Sequence, residues 1–130
     1  MKVGFIGLGN VGSKLAGTLL RNGITTFIND LKQSNAHNLM QMGGTWLDNP
    51  AKITSNSDVI ITCLPSPKAS IFVFEETNGI FSTAAKDKIW VEMSTTEASE
   101  VERIAKKLTK KGMFSADCPV SGGCHRAETG

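Results

Sequence analysis

Short apolar runs alternate along this chain with longer segments in which apolar residues recur at helical spacing. The runs predict six strands, over Lys2–Ile6, Thr25–Asn29, Thr45–Leu47, Asp58–Leu64, Ile89–Glu92 and Met113–Asp117. The fourth run lacks apolar–polar alternation, which is typical of a parallel strand buried on both faces. Strands joined by helices in this way predict an α/β fold with a doubly wound, mainly parallel sheet of six strands and crossover helices, the Rossmann architecture.

The helical segments are bounded by residues that commonly start or stop helices. In the first segment, one face carries Val11, Leu15, Leu19 and Leu20, and Gly23 follows as the expected stop. Further helices are predicted over about Asn35–Met42, Pro50–Ile53, Lys68–Glu76 and Ile80–Ala84. Another helix is predicted between the fifth and sixth strands. It carries Val101, Ile104, Ala105 and Leu108 and ends at Gly112. Ser94 or Thr95 is predicted to cap its start, and Glu97 would complete a capping box with Ser94.

The turn after the first strand has the glycine spacing G-x-G-x-x-G, over Gly7, Leu8, Gly9, Asn10, Val11 and Gly12. In this motif the first glycine allows a sharp turn, the second lets a pyrophosphate approach the backbone, and the third brings the helix close to the sheet. The free N–H groups and partial positive charge at the helix start favour an anion. The order of strand, turn and helix therefore predicts a dinucleotide site rather than a glycine turn without a ligand.

An acidic residue, Asp30, follows the second strand. A carboxylate at this position accepts hydrogen bonds from the adenosine ribose hydroxyls and repels a 2′-phosphate, so NAD is predicted and NADP is less favoured. Lys32 could reach a 2′-phosphate, which keeps NADP open as an alternative. A methyltransferase-type nucleotide site also has an acid after its second strand, but the third glycine inside the helix favours a dinucleotide.

Composition and charge limit the kinds of partner and the cellular compartment that the sequence favours. Apolar residues make up 40% of the 130 residues and charged residues 20%, as in an ordinary globular domain, and one domain over residues 1–130 is predicted. A net charge of +2 is too small to indicate nucleic acid or an anionic membrane as a partner. Three cysteines and an N-terminal apolar run broken by glycines favour the cytoplasm or the mitochondrial matrix over secretion.

A second motif of small residues follows the sixth strand, at Ser121, Gly122 and Gly123. A hydroxyl and two unhindered backbone N–H groups form either an anion cradle suited to a substrate carboxylate or a plain turn. No metal is predicted, because zinc-site spacing is absent from the nearby residues Cys118, Cys124 and His125.

With these motifs the sequence resembles the β-hydroxyacid dehydrogenase family, which includes 3-hydroxyisobutyrate dehydrogenase and tartronate semialdehyde reductase. It is also similar to the cofactor domain of 6-phosphogluconate dehydrogenase. The resemblance spans nearly the whole chain and is carried by Gly4–Gly12, Leu64-Pro65, Met93–Thr95 and Asp117–Gly130. Two residues depart from the family, which usually has Asp where Glu92 stands and often has Pro where Ala98 stands. Neither departure is expected to touch the chemistry.

The resemblance implies a reversible, NAD(P)-dependent oxidation of a small 3-hydroxy acid to its semialdehyde. It implies that the cofactor is held by Gly7, Leu8, Gly9, Asn10, Val11, Gly12, Asp30, Leu64, Pro65 and Thr95. It assigns the substrate carboxylate to Ser121, Gly122 and Gly123.

The proton acceptor of the family is a lysine on a second, all-helical domain. No lysine in this chain matches it, so no catalytic residue is assigned within residues 1–130. The chain is therefore expected to be a piece of a longer enzyme, binding the cofactor without turnover. A stand-alone nucleotide-binding or sensing module is the alternative. Because the second domain would cover apolar surface, self-association into a homo-oligomer is also expected.

Overall fold

The sheet has the predicted doubly wound architecture in the computed structural model, which describes residues 1–129. Its six strands in this range are β1 Lys2–Ile6, β2 Thr25–Asn29, β3 Thr45–Trp46, β4 Val59–Thr62, β5 Ile89–Glu92 and β6 Phe114–Asp117. The strands are parallel and lie in the order β3-β2-β1-β4-β5-β6. The chain starts at the centre and winds outward in both directions, so all carboxyl ends of the strands meet at one edge.

Helices connect consecutive strands, and one further helix follows β6. Within residues 1–129 they are α1 Asn10–Arg21, α2 His37–Gln41, α3 Pro50–Asn56, α4 Pro67–Glu75, α5 Ile80–Thr83, α6 Ala98–Thr109 and α7 Gly123–Thr129. A short 3-10 helix, Gln33–Ala36, precedes α2. The side chains of Asn49 and Ser66 cap α3 and α4 by accepting backbone N–H bonds, and a proline follows each of them. Gly23 has a φ of 73° after α1, which confirms the predicted stop.

Apolar side chains pack on both faces of the sheet. The core beneath α1 and α2 contains Phe5, Leu8, Ala16, Ile28, Ala36 and Leu39. The core beneath α3 to α6 contains Ile6, Ile53, Ile60, Val73, Phe74, Ile80, Trp90, Val101, Ile104, Leu108 and Met113. The adjacent residues Phe5 and Ile6 belong to different cores, because successive side chains of a strand point to opposite faces. β1 therefore lies at the centre of a three-layer structure. None of the described helices is long and apolar enough to cross a bilayer.

The predicted N-cap of α6 is wrong. The helix begins at Ala98, and its N-cap residue, Glu97, makes no side-chain capping bond. The Ser94 hydroxyl instead accepts a hydrogen bond of 2.6 Å from the backbone N–H of Leu64. Ser94 is held there because its own N–H donates to the Glu92 carboxylate at 2.7 Å, which keeps the serine beside the end of β4.

The segment after β6 also differs from the prediction, which placed no helix after the sixth strand. The part over Gly123–Thr129 forms α7, and its buried Ala127 packs against α1. The Thr18 hydroxyl donates to the carbonyl oxygen of Ala127 at 3.0 Å. These contacts form only when the fold brings α1 beside α7. Gly130 lies outside the described residues.

The fourth strand is shorter than predicted and is not buried on both faces. It ends at Thr62, and Val59 and Ile61 are only half-buried while Ile60 and Thr62 are buried. The other predicted elements are present: β1, β2 and β5 have the predicted bounds, and the boundaries of the rest differ by at most a few residues.

Candidate functional site

A cavity of about 490 Å³ opens at the carboxyl edge of β1, β2 and β4. The predicted cofactor residues that line it are Gly7, Gly9, Asn10, Val11, Gly12, Asp30, Leu64 and Pro65. Leu8 and Thr95 are not among the lining residues. The Leu8 side chain is buried in the core, and Thr95 is exposed on the loop after β5. The structure therefore brings the glycine turn, the acid after β2 and the loop after β4 to one site.

The three glycines of the turn are needed for different reasons. Gly7 has a φ of 98°, and a Cβ there would overlap the carbonyl group of Cys63. A Cβ at Gly12 would overlap the carbonyl oxygen of Gly7. Gly9, in contrast, has an ordinary φ of −67°, and a Cβ would meet nothing within 4 Å. The fold requires glycine at positions 7 and 12, whereas the open space at Gly9 fits a ligand lying on the backbone.

The start of α1 provides donors for an anion. Its N-cap residue, Gly9, has no side chain that could occupy these donors, and the first turn contains no acidic residue. The N–H groups of the first turn of a helix have no partner within the helix, and its dipole places a partial positive charge there. These groups lie beside the open space at Gly9, so the donor set fits a pyrophosphate.

Asp30 connects the second strand to the glycine turn. Its Oδ2 accepts a hydrogen bond from the Leu8 N–H at 2.7 Å, and its Oδ1 accepts from the Lys32 N–H at 2.8 Å and from Asn35 Nδ2 at 3.1 Å. A carboxylate offers about four acceptor positions, so one is left for a ligand hydroxyl. The bond to Leu8 could not be inferred from the sequence, since it depends on the packing of β1 beside β2.

The small-residue motif lies further along the same sheet edge, after β6. Ser121, Gly122 and Gly123 are exposed and do not line the cavity. Gly122 and Gly123 have φ values of 91° and 67°, the left-handed region that favours glycine. The Val120 N–H donates to the Met93 carbonyl oxygen at 3.4 Å, which holds the motif beside the loop after β5. Among residues 1–129, no group of three or more His, Cys, Asp or Glu side chains is placed to hold a metal ion.

Comparison with known proteins identifies the family. A family model describing the NAD-binding domain of 6-phosphogluconate dehydrogenase matches residues 2–130. The chain belongs to this family of NAD-binding domains. The match, together with the relatives that follow, confirms the resemblance to β-hydroxyacid dehydrogenases.

Two curated relatives of this NAD-binding domain are dehydrogenases. The 2-(hydroxymethyl)glutarate dehydrogenase of Eubacterium barkeri is 35% identical over 130 residues, which cover 100% of this chain and 43% of the relative. The mitochondrial 3-hydroxyisobutyrate dehydrogenase of Rattus norvegicus is 35% identical over 128 residues, which cover 98% of this chain and 38% of the relative. The chain thus spans less than half the length of these relatives.

A solved structure supports the same fold for the NAD-binding domain. Psf3, in complex with NADP⁺ and 2-OPP, superimposes with a TM-score of 0.94 at 25% identity. The superposition covers 98% of this chain and 45% of that one. The family model describes an NAD-binding domain and this neighbour holds NADP⁺, so the fold is that of an NAD(P)-binding domain.

A buried acid lies behind the cavity of this NAD-binding domain. Glu92 is 1% exposed and does not line the cavity. Its Oε1 accepts from the Ser94 N–H at 2.7 Å, and its Oε2 accepts from the Thr62 hydroxyl at 3.1 Å. Trp90 Nε1 donates to that same hydroxyl at 2.8 Å. Two hydrogen bonds, both made by Ser94, therefore connect Glu92 to Leu64. In the sequence, the only signal for this buried acid was its position at the end of an apolar strand.

Burial raises the pKa of Glu92 above its ordinary value, although the hydrogen bonds from Ser94 and Thr62 act in the opposite direction. The nearby Asp117 raises the pKa further. The raised pKa means that the charged carboxylate is less stable in the folded chain than in the unfolded chain.

Glu92→Gln should therefore gain stability relative to the wild type as the pH rises. At low pH the carboxyl is protonated in both states and contributes nothing. Above the unfolded pKa, the unfolded chain loses its proton first, so the wild type loses about 1.4 kcal/mol for each unit by which folding raises the pKa. Urea unfolding of both proteins at about pH 4 and about pH 8 measures the difference. A stability difference that does not change with pH would contradict the prediction.

Proposed function

We propose that this NAD-binding domain is the cofactor-binding part of an NAD-dependent dehydrogenase, which transfers a hydride between NAD and a small 3-hydroxy acid or its semialdehyde. The observation that carries the proposal is the open space at Gly9, which shares one cavity with Asp30. The substrate class is supported by the relatives, a 3-hydroxyisobutyrate dehydrogenase and a 2-(hydroxymethyl)glutarate dehydrogenase.

The proposed cofactor follows the carboxyl edge of the sheet from β2 across β1 to β4. The N–H groups at the start of α1, beside Gly9, bind the pyrophosphate, and Asp30 accepts hydrogen bonds from the adenosine ribose. Leu64, Pro65 and Thr95 contact the other half of the dinucleotide. When bound, NAD supplies the hydride acceptor for the alcohol carbon of the substrate.

The proposed substrate site is the cradle of Ser121, Gly122 and Gly123, which binds the carboxylate through a hydroxyl and backbone N–H groups. Oxidation of an alcohol also needs a proton acceptor close to the hydroxyl. We assign no such residue within residues 1–130. The chain alone is therefore expected to bind NADH without oxidising a 3-hydroxy acid.

Titration calorimetry of the chain with NADH, NADPH and S-adenosylmethionine tests the proposal. We expect binding of NADH, weaker binding of NADPH and no binding of S-adenosylmethionine. A folded chain that binds neither dinucleotide would overturn the cofactor site, and binding of S-adenosylmethionine alone would favour a methyltransferase. Oxidation of 3-hydroxyisobutyrate by the chain with NAD would show instead that a proton acceptor was missed.

We also propose that the chain forms a homo-oligomer in a reduced compartment, the cytoplasm or the mitochondrial matrix. β6 is the outermost strand, its four residues are exposed, and Phe114 is 63% exposed. A strand edge with an exposed aromatic side chain favours pairing with another chain. Light scattering should therefore give a mass above that of the monomer. A monomer at every concentration would contradict this. The three cysteines, all free in the described part of the chain, suit the proposed compartment.

A further inference from the structure

A line of buried hydrogen bonds runs from the sheet interior to the cavity wall. The Leu64 N–H donates to Ser94 Oγ at 2.6 Å, and the Ser94 N–H donates to Glu92 Oε1 at 2.7 Å. Ser94 is 5% exposed and Glu92 is 1% exposed, so water does not replace these bonds. Leu64 itself lines the cavity.

The bond to Ser94 holds the backbone just where the regular sheet ends. The Cys63 N–H still donates to the carbonyl oxygen of Ile6, which continues the ladder between β4 and β1. The Leu64 N–H is the next donor, and the residue after it is Pro65, which has none. Among the described residues, Ser94 is the partner that the structure gives to the Leu64 N–H. The position of the Leu64-Pro65 wall therefore depends on the placement of the serine.

The sheet order determines which part of a bound dinucleotide meets this wall. Asp30, which accepts from the adenosine ribose in the proposed function, lies at the end of β2. The pyrophosphate lies over Gly9 at the end of β1, and the cavity continues to Leu64 after β4. Because β1 lies between β2 and β4, the wall faces the nicotinamide half and is remote from the adenosine half.

We propose that Ser94 and Glu92 are positioning residues, which fix the Leu64-Pro65 wall so that it can receive the nicotinamide half of the dinucleotide. This inference rests on the proposed function, since it requires the dinucleotide to occupy the cavity. A buried carboxylate is seldom the most stable choice for a core position, because its desolvation is costly. Here the carboxylate orients Ser94, and Ser94 holds the cavity wall.

The test compares NADH with ADP, which lacks the nicotinamide half, by calorimetry on the whole chain. Ser94→Ala should weaken NADH binding about threefold to tenfold, as expected for one lost hydrogen bond, and leave ADP binding within about twofold. Glu92→Ala should weaken NADH binding at least as much as Ser94→Ala does. Glu92→Gln should restore NADH binding, because its carbonyl oxygen still accepts the Ser94 N–H.

Ser57→Ala is the matched control. Ser57 is also a buried serine, 1% exposed, and its hydroxyl donates to the Ile53 carbonyl oxygen at 2.7 Å. It precedes β4, at the sheet edge opposite to the cavity, so its loss should lower stability without changing either affinity.

Four outcomes would overturn the inference. Unchanged NADH binding in Ser94→Ala, with a wild type that binds NADH, would refute it and leave the proposed function intact. An equal loss of NADH and ADP would mean that the serine supports the whole fold rather than the wall. Equal affinity of the wild type for ADP and NADH would show that the nicotinamide half makes no favourable contact with the wall. If the wild type binds no nucleotide, the proposed function fails first and the inference fails with it.

Discussion

Replacing Gly9 by alanine should weaken NADH binding about 10- to 100-fold and change the free energy of unfolding by less than about 1 kcal/mol. The new methyl group would enter the open space in front of the turn, where the pyrophosphate of the dinucleotide is proposed to lie. Inside the protein it would meet no atom within 4 Å, and the φ of −67° is acceptable for alanine. Loss of the glycine N-cap is offset in part by the lower entropy of the unfolded alanine chain.

Gly12→Ala should behave in the opposite way. Its methyl group would overlap the backbone oxygen of Gly7 and would lie 3.4 Å from Cε1 of Phe5 in the core. Neither neighbour can move without shifting β1 or α1, so we expect destabilisation by about 1 to 3 kcal/mol. NADH binding should also fall, because the turn is displaced.

Urea unfolding and calorimetry on both variants separate the two roles. Gly9→Ala should lose affinity with normal stability, and Gly12→Ala should lose stability. If Gly9→Ala binds NADH as tightly as the wild type, the pyrophosphate does not lie over the turn. If both variants are equally unstable, the space at Gly9 is needed by the fold and not by a ligand.

Most of the fold could be predicted because the signals that determine it are local. The strand Ile89–Glu92 has the predicted bounds, and a short apolar run is sufficient to define it. Gly23 ends α1 as predicted, since a left-handed residue after a helix is a property of the chain itself. The glycine turn was recognisable because the fold requires Gly7 and Gly12 at fixed spacing.

The errors arose where distant contacts outweigh a local preference. Ser94 has the spacing of a capping residue, yet its hydroxyl accepts from Leu64, which lies on another strand connection. Gly122 and Gly123 are typical of a loop, yet α7 begins at Gly123, and this helix depends on packing against α1. Glu92 stands at the end of an apolar strand, and its buried hydrogen bonds were not visible in one sequence.

Removing the charge of Asp30 should change the preference between the two cofactors. In the wild type the carboxylate is expected to favour NADH and to repel the 2′-phosphate of NADPH. In Asp30→Asn we expect the ratio of the NADPH and NADH dissociation constants to fall at least about tenfold. The ratio is the informative quantity, because a displaced glycine turn would weaken both cofactors equally. Calorimetry with both cofactors measures it.

Two further variants show whether the change comes from charge at this position. Asp58→Ala is the control, since Asp58 Oδ2 also accepts a backbone N–H, that of Lys2 at 2.7 Å, but lies at the opposite edge of the sheet. It should leave the ratio unchanged. Lys32 lines the same cavity, and its ammonium would attract the 2′-phosphate once the carboxylate is gone. Adding Lys32→Ala to Asp30→Asn should therefore reverse part of the gain in NADPH binding. A ratio that stays constant in Asp30→Asn would mean that the carboxylate serves only to hold Leu8, and that the choice of cofactor depends on other residues.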